Sequence, residues 1–291
     1  MITLLDQYKF VFRRLLLGKG TAPSSGVIRK AVLMEQRFTD KVVITTGAAG
    51  GIGKAVAKRF YDEGAKVVML DVKKEWVDAV VEKFGMDPER VFSAGFDITD
   101  EEAVKNVIDE VMAKWGRIDV LNNIAGNGGD QMDMEEKPLA EWQMVYDINV
   151  FGTVRMIKYV LPIMKAQKSG TITNTSSVSG MFGYAGESAY GSSKWAVRGL
   201  TKNIANENGG VTGVRVNSVA PGWVNTAMFQ KALDDYIAQG YEDPMANVTL
   251  GPLGRPAEPS EIAAVFAFLA SDDAAIINGS NILCDGGMTL G

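Results

Sequence analysis

The sequence predicts a doubly wound α/β fold: a seven-stranded parallel sheet with helices on both faces. Three observations predict it. From residue 41 onward, short β-branched runs alternate with longer amphipathic segments, the pattern of stacked βαβ units. A glycine-rich turn, Thr46-Gly-Ala-Ala-Gly-Gly-Ile-Gly53, sits where the first strand gives way to the first helix. No internal repeat, long linker or low-complexity tract interrupts the rhythm, so one domain is expected over residues 38–291.

The elements follow in order. β-branched runs predict strands at 41–46, 66–71, 91–95, 118–122, 170–175, 214–219 and 281–284. Amphipathic segments between them predict helices at 51–63, 74–84, 100–115, 139–167, 188–206 and 259–270. Right-handed crossovers then cover both faces of the sheet. The stretch 223–252, rich in Met, Gly, Tyr and Pro, breaks the rhythm and reads as a mobile lid beside a ligand cleft.

Composition narrows the chemistry. The chain has 291 residues, 46% hydrophobic and 22% charged, which is ordinary for a soluble protein with a sizeable core. Its net charge of −5 gives no support to a nucleic-acid partner. Histidine is absent, which removes Ser-His-Asp and Cys-His hydrolysis and nearly all zinc chemistry. A general base must be Tyr, Lys, Asp, Glu or Cys. The single cysteine, Cys284, forms no internal disulfide and reads as a small buried hydrophobe, natural in the reducing cytoplasm.

Residues 1–37 carry seven basic groups against Asp6 and Glu35, a charge of +5 that leaves −10 for the rest. The segment is too short and charged to span a bilayer and lacks a signal-peptide pattern. A basic membrane-surface helix and a subunit-contact helix are two readings; the favoured one is an appendage ahead of a natural start at Met34.

Two motifs carry chemistry. In the glycine turn, Gly47 permits the tight bend, Gly51 admits a pyrophosphate to the backbone, and Gly53 allows close helix packing. The helix N-terminus adds free N–H groups and a positive dipole end. The second strand ends at Asp71, whose carboxylate suits ribose hydroxyls and repels a 2′-phosphate, favouring NAD over NADP. In Ser188-Ala-Tyr-Gly-Ser-Ser-Lys194, helical spacing puts Tyr190 and Lys194 on one face. A lysine charge at roughly 4 Å, at an effective dielectric of about 20, is worth about 4 kcal/mol and is expected to lower the phenol's pKa of about 10.

With these residues in place, the chain resembles the short-chain dehydrogenase/reductase family in its single-domain, Rossmann-type branch. The match runs over 38–291 with several motifs in order. The family's dinucleotide turn is matched by Thr46 to Gly53, Ile52 included, and its adenine-contacting acidic pair by Asp97-Ile98. Its Asn-Asn-Ala-Gly segment is matched by Asn123-Ile124-Ala125-Gly126, with Ile124 in place of the second asparagine. Pro221-Gly222, followed by Val224, and Thr226 match the nicotinamide-side segment, and Asp285-Gly286-Gly287 the closing one. The resemblance implies a catalytic set of Asn149, Ser177, Tyr190 and Lys194. Ser177 stands thirteen residues before Tyr190, a spacing that favours it over Ser176.

The resemblance implies a role for each residue of this set. Tyr190 is expected to exchange a proton, Ser177 to hold a substrate oxygen, Lys194 to tune the phenol and bond the nicotinamide ribose, and Asn149 to order a water chain. The expected cofactor is NAD, and no metal is required. The expected reaction interconverts a secondary alcohol and a ketone on a fairly apolar small molecule, with Phe182, Tyr184, Trp223 and Met228 among the pocket walls. The assembly implied is a homotetramer with contacts near 105–115, 145–165 and the last strand. Two rivals are a non-redox lyase or epimerase using bound NAD, and a non-catalytic NAD-binding protein.

Overall fold

The computed structural model describes residues 36–238 and 240–290. Apart from Gln36 and Arg37, the expected appendage and its start at Met34 lie outside them. Seven strands form one parallel sheet: β1 (Val42–Thr46), β2 (Lys66–Asp71), β3 (Val91–Gly95), β4 (Val120–Asn123), β5 (Gly170–Thr175), β6 (Val214–Pro221) and β7 (Asn281–Cys284), ordered β3-β2-β1-β4-β5-β6-β7. The helices are α1 (Gly51–Asp62), α2 (Lys74–Lys83), α3 (Glu101–Trp115), α4 (Leu139–Tyr146), α5 (Thr153–Gln167), α6 (Ser188–Asn208), α7 (Ala227–Ala238) and α8 (Pro259–Ala270).

Strand alternation divides the core into two. Val43, Val67 and Met69 pack with Phe60 of α1 and Phe266 of α8 on one face. Val42, Ile44, Val68 and Leu70 pack with Val111 of α3 and Met156 and Val160 of α5 on the other. Because both faces are covered, the strands read as continuous apolar runs rather than alternating ones. Each fully buried side chain of this size contributes roughly 1.5–3 kcal/mol.

Local chemistry sets the helix ends. Asp100 caps α3 by accepting from the Glu102 and Ala103 N–H groups at 2.9 and 3.1 Å, and Gly116 closes it at φ 68°. At α8, Glu258 and Glu261 form a reciprocal capping box behind Pro259.

Two expectations need correction, and one stretch given no elements in advance contains two. The helix expected over 139–167 is α4, a π-helical segment Asp147–Gly152, and α5. The Thr153 hydroxyl donates to the Asn149 carbonyl at 2.9 Å, and Gly152 packs so tightly on Ile98 that a Cβ would meet it at 3.0 Å. The fourth strand starts at Val120 rather than 118, because the Ile118 N–H donates to the Gln167 side chain at 3.0 Å. The stretch 223–252 holds α7 and a 3-10 turn, Pro244–Asn247.

Candidate active site

The strand order reverses between β1 and β4, and their carboxyl ends open a cleft of about 1020 Å³. The glycine turn forms its floor. Gly47 has φ 64°, where a side chain is strained, and its carbonyl accepts from the Gly50 N–H at 3.0 Å. A Cβ on Gly53 would lie 2.0 Å from that carbonyl oxygen, and one on Gly51 2.3 Å from Thr226 Cγ2. The first N–H groups of α1 have no partner within the helix and sit at its positive end, the arrangement that receives an anion. Asp71 Oδ2 accepts from the Ala49 N–H at 2.9 Å, so this carboxylate also fixes the turn. The Thr46 hydroxyl accepts from the Ile124 and Ala125 N–H groups at 3.0 and 3.1 Å, tying the turn to the loop after β4. A glycine cradle with a carboxylate at the end of β2 fits the phosphates and ribose of a dinucleotide.

Gly47, Gly51, Ile52, Gly53, Asp71, Asp97, Ile98, Ala125, Gly126 and Thr226 line this cleft, while Pro221, Gly222 and Val224 line the cavity that adjoins it. Asn123 lines neither. Its side chain is buried between β4 and β5 and donates to Asn174 Oδ1 at 2.9 Å, so it holds two strands together instead of facing a ligand. Trp76 and Phe96 also line the cleft, and no motif in the sequence marked them.

The adjoining cavity, of about 220 Å³, brings Ser177, Tyr190 and Lys194 together. Ser177 follows the end of β5, and its hydroxyl accepts from the Ser179 N–H at 3.2 Å. Tyr190 and Lys194 lie one turn apart on α6, with Lys194 Nζ 5.5 Å from the centre of the Tyr190 ring. Lys194 is 4% exposed and donates to the Thr175 carbonyl at 3.0 Å. Asn149, in the π-helical segment, donates to the Asn127 carbonyl and to Ser193 Oγ, both at 2.9 Å, and its Oδ1 accepts from the Asn127 N–H at 2.8 Å. A Cβ on Gly126 would stand 3.2 Å from Asn149 Oδ1 and 3.4 Å from Lys194 Nζ, so both polar groups converge over that glycine.

The electrostatics reverse one expectation. Burial pushes the Tyr190 phenol up to about 12; a hydrogen bond with Ser177 opposes the rise and the Glu187 charge adds to it. Burial also brings Lys194 down to about 8. Spacing alone had the lysine lowering the phenol. In the folded chain, loss of water disfavours charge on both groups.

Tyr184, Trp223 and Met228 line the cavity as expected of its walls. Phe182 does not: its N–H bonds to the Val178 carbonyl at 3.0 Å, and its ring is 44% exposed. Sequence reasoning missed Gln131 and Glu187. Glu187 Oε2 accepts from Ser179 Oγ at 2.7 Å, and burial raises the carboxyl above its ordinary value, against hydrogen bonds from Ser179 and Gln131. Its position three residues before Tyr190, on the same helical face, was a usable signal. Burial pushes the Cys284 thiol up to about 11, which makes it a poor nucleophile. Among the described residues, no group of three metal-ligating side chains comes together, and no helix is long and apolar enough to cross a membrane.

Comparison with known proteins agrees with this geometry. A family model described as enoyl-(acyl carrier protein) reductase matches residues 47–289. The chain is 43% identical over 255 residues to meso-2,3-butanediol dehydrogenase of Serratia marcescens, covering 87% of this chain and 96% of that protein. It is 38% identical over 254 residues to a 3-oxoacyl-(acyl-carrier-protein) reductase of Thermotoga maritima, covering 87% and 100%. The crystal structure of levodione reductase superposes with a TM-score of 0.82 at 37% identity, covering 87% of this chain and 99% of that one. NAD+-bound xylitol dehydrogenase superposes with a TM-score of 0.79 at 33% identity, covering 86% and 100%. With the cleft at the strand-order reversal and the Tyr190/Lys194 pair at its mouth, these matches identify the chain as an oxidoreductase of the short-chain dehydrogenase/reductase family.

Proposed function

We propose that this protein interconverts a secondary alcohol and a ketone with NAD(H), using Tyr190 as general acid/base. The observation that carries the reading is the convergence of Ser177, Tyr190 and Lys194 in one cavity that opens onto the glycine cleft. NAD, when bound, supplies the hydride acceptor or donor. Gly47, Gly51 and Gly53 leave room for its phosphates, and Asp71 favours the ribose without a 2′-phosphate.

The residues divide the remaining work. Ser177 and Tyr190 hold the substrate oxygen between two hydroxyls. Tyr190 gives a proton to that oxygen in reduction and takes it back in oxidation. The phenol is almost wholly protonated at neutral pH, so it is ready to act as an acid. Lys194 donates to the Thr175 carbonyl beside the Tyr190 ring, and Asn149 bonds the Asn127 carbonyl and Ser193 Oγ. Asn149 acts as a positioning residue. We read 223–252 as a lid: α7 supplies Met228 and Phe229 to the cavity wall, and Lys231 reaches Asp130 across its mouth at 3.5 Å. We further infer a homotetramer, with Phe151 and Leu283 on the segments expected to make its contacts, and place the enzyme in the cytoplasm.

The test is Tyr190→Phe. NAD+ reduction with a panel of secondary alcohols is expected to fall by at least about 100-fold, while NADH binding, followed by fluorescence, is retained. Normal turnover by the variant would remove Tyr190 from the reaction. Turnover without net NADH formation would favour a lyase or epimerase instead.

A further inference from the structure

Glu187 is a carboxylate in the cavity wall, and the proton transfer assigned to Tyr190 does not use it. It is the N-cap residue of α6, three residues before Tyr190, and its charge acts on the Tyr190 phenol. Both line the same cavity, together with Trp223, Met228 and Phe229. The carboxylate is held rather than free: Ser179 Oγ donates to Oε2 at 2.7 Å, and Gln131, from the loop after β4, donates to it as well. Two carboxylate oxygens offer about four acceptor positions, so capacity remains on the group after these two bonds. It is only partly exposed, and partial burial without a cationic partner is costly unless another donor completes its bonds.

The wider charge pattern points the same way. Asp130 and Asp235 line the cavity too, and the lysine opposite them, Lys231, is engaged by both at 3.5 and 2.9 Å. An anionic substrate would face these carboxylates across a lysine already paired with them. A neutral or cationic donor group would be welcomed.

We propose that Glu187, with Gln131, forms a subsite for a second hydroxyl on the carbon adjacent to the reacting one, so that the substrates are neutral vicinal diols and the corresponding hydroxyketones. This deepens the redox reading above and rests on it. The reacting oxygen lies between Ser177 and Tyr190, and the neighbouring hydroxyl donates to Glu187. That bond fixes which face of the reacting carbon is presented to the cleft. A substrate carrying a carboxylate is disfavoured by repulsion from the same group.

The experiment measures kcat/KM for NAD+ reduction on matched pairs: cyclohexane-1,2-diol against cyclohexanol, and pentane-2,3-diol against pentan-2-ol. The wild-type chain is expected to favour the diol by about 10- to 100-fold, the worth of a hydrogen bond to a charged group. Glu187→Ala should collapse that ratio toward one, and Glu187→Gln, which keeps the shape and an acceptor, should hold it at an intermediate value. The mono-alcohol serves as the reference within each variant. If the alanine variant does not fold, the wild-type chain still decides: 1-aminopropan-2-ol should be oxidised better than lactate, which has the same backbone but a carboxylate. Mono-alcohol oxidation with no diol preference, or a ratio unmoved in both variants, overturns the subsite and leaves the redox reading standing. Absence of NAD+ reduction on every pair overturns both.

Discussion

Replacing Gly53 with alanine isolates what the glycine turn contributes. An alanine within a helix gains about 1 kcal/mol over glycine from propensity alone, so a Gly→Ala change in α1 would ordinarily stabilise. Here the new Cβ would lie 2.0 Å from the Gly47 carbonyl oxygen and 2.7 Å from its carbon. These are backbone atoms that cannot rotate aside, and the oxygen must retreat by about 1.4 Å to reach the 3.4 Å of ordinary contact. That retreat strains the Gly50 N–H to Gly47 O bond, now 3.0 Å, which forfeits about 1 kcal/mol. Overpacking adds about 1–3 kcal/mol, so the clash wins by about 1–3 kcal/mol, or a Tm lower by roughly 2–10 °C at this chain length. Gly51→Ala makes the control. Its Cβ would meet Thr226 Cγ2 at 2.3 Å and Thr226 Cβ at 2.7 Å, and rotation of the side chain relieves only the first. Its Tm should therefore fall as well and NADH binding weaken, but with the Gly50 N–H to Gly47 O bond left intact. The assays are thermal unfolding and NADH fluorescence titration on both variants. A Gly53→Ala protein that melts and binds NADH like the wild type would refute the close approach in the turn.

Two further outcomes arise from the charges. Burial lowers Lys194 to about 8, so between that value and its unfolded pKa of about 10.4 the unfolded chain holds more protons and stability rises with pH; Lys194→Met should flatten the urea-unfolding free energy over that window, and an unchanged slope would contradict the buried lysine. Glu63 is 1% exposed; burial raises its pKa, but hydrogen bonds from Arg37 and Arg59 outweigh this and hold it below the ordinary carboxyl value. Its contribution is therefore present above the unfolded pKa and lost as pH falls through the folded one, and Glu63→Gln should cost about 3 kcal/mol at neutral pH in denaturant melts; a cost under about 1 kcal/mol would assign the cluster no more than a surface role.

What could be read from the sequence was what depends on local pattern. All seven strands stand where β-branched runs placed them, the fourth two residues late, because apolar runs with glycine punctuation leave little choice. The glycine turn and the Tyr190/Lys194 pair were legible for a similar reason: their chemistry is set by spacing along one element. Burial was not legible, and so the direction of the Tyr190 shift was missed. Charge separation can be estimated from i and i+4, but loss of water depends on residues from distant segments packed around the phenol. The Asn123 side chain lies between β4 and β5 and not in the cleft, because a motif position does not say which way a strand residue faces. Phe182 was misassigned because a 3-10 turn at Val178–Gly180 redirects the chain. Gln131 lies in a loop whose sequence carries no period, and only the fold brings it to Glu187. The segment α7 was hidden by the Met, Gly, Tyr and Pro content of the wider stretch 223–252, which reads as irregular although Ala227–Ala238 forms three turns.

The wide turn at Asp147–Gly152 ties catalysis to packing through helical phase. Each residue advances an α-helix by about 100°, so deleting one residue there would relax the turn to regular winding and rotate one flanking helix against the other by about that angle. Met156, Val160 and Met164, all fully buried, are anchored in the second core and resist such a rotation. The displacement would then fall on Asn149 and the helix before it. The length of the chain at this point is fixed as firmly as the identities of Asn149 and Gly152.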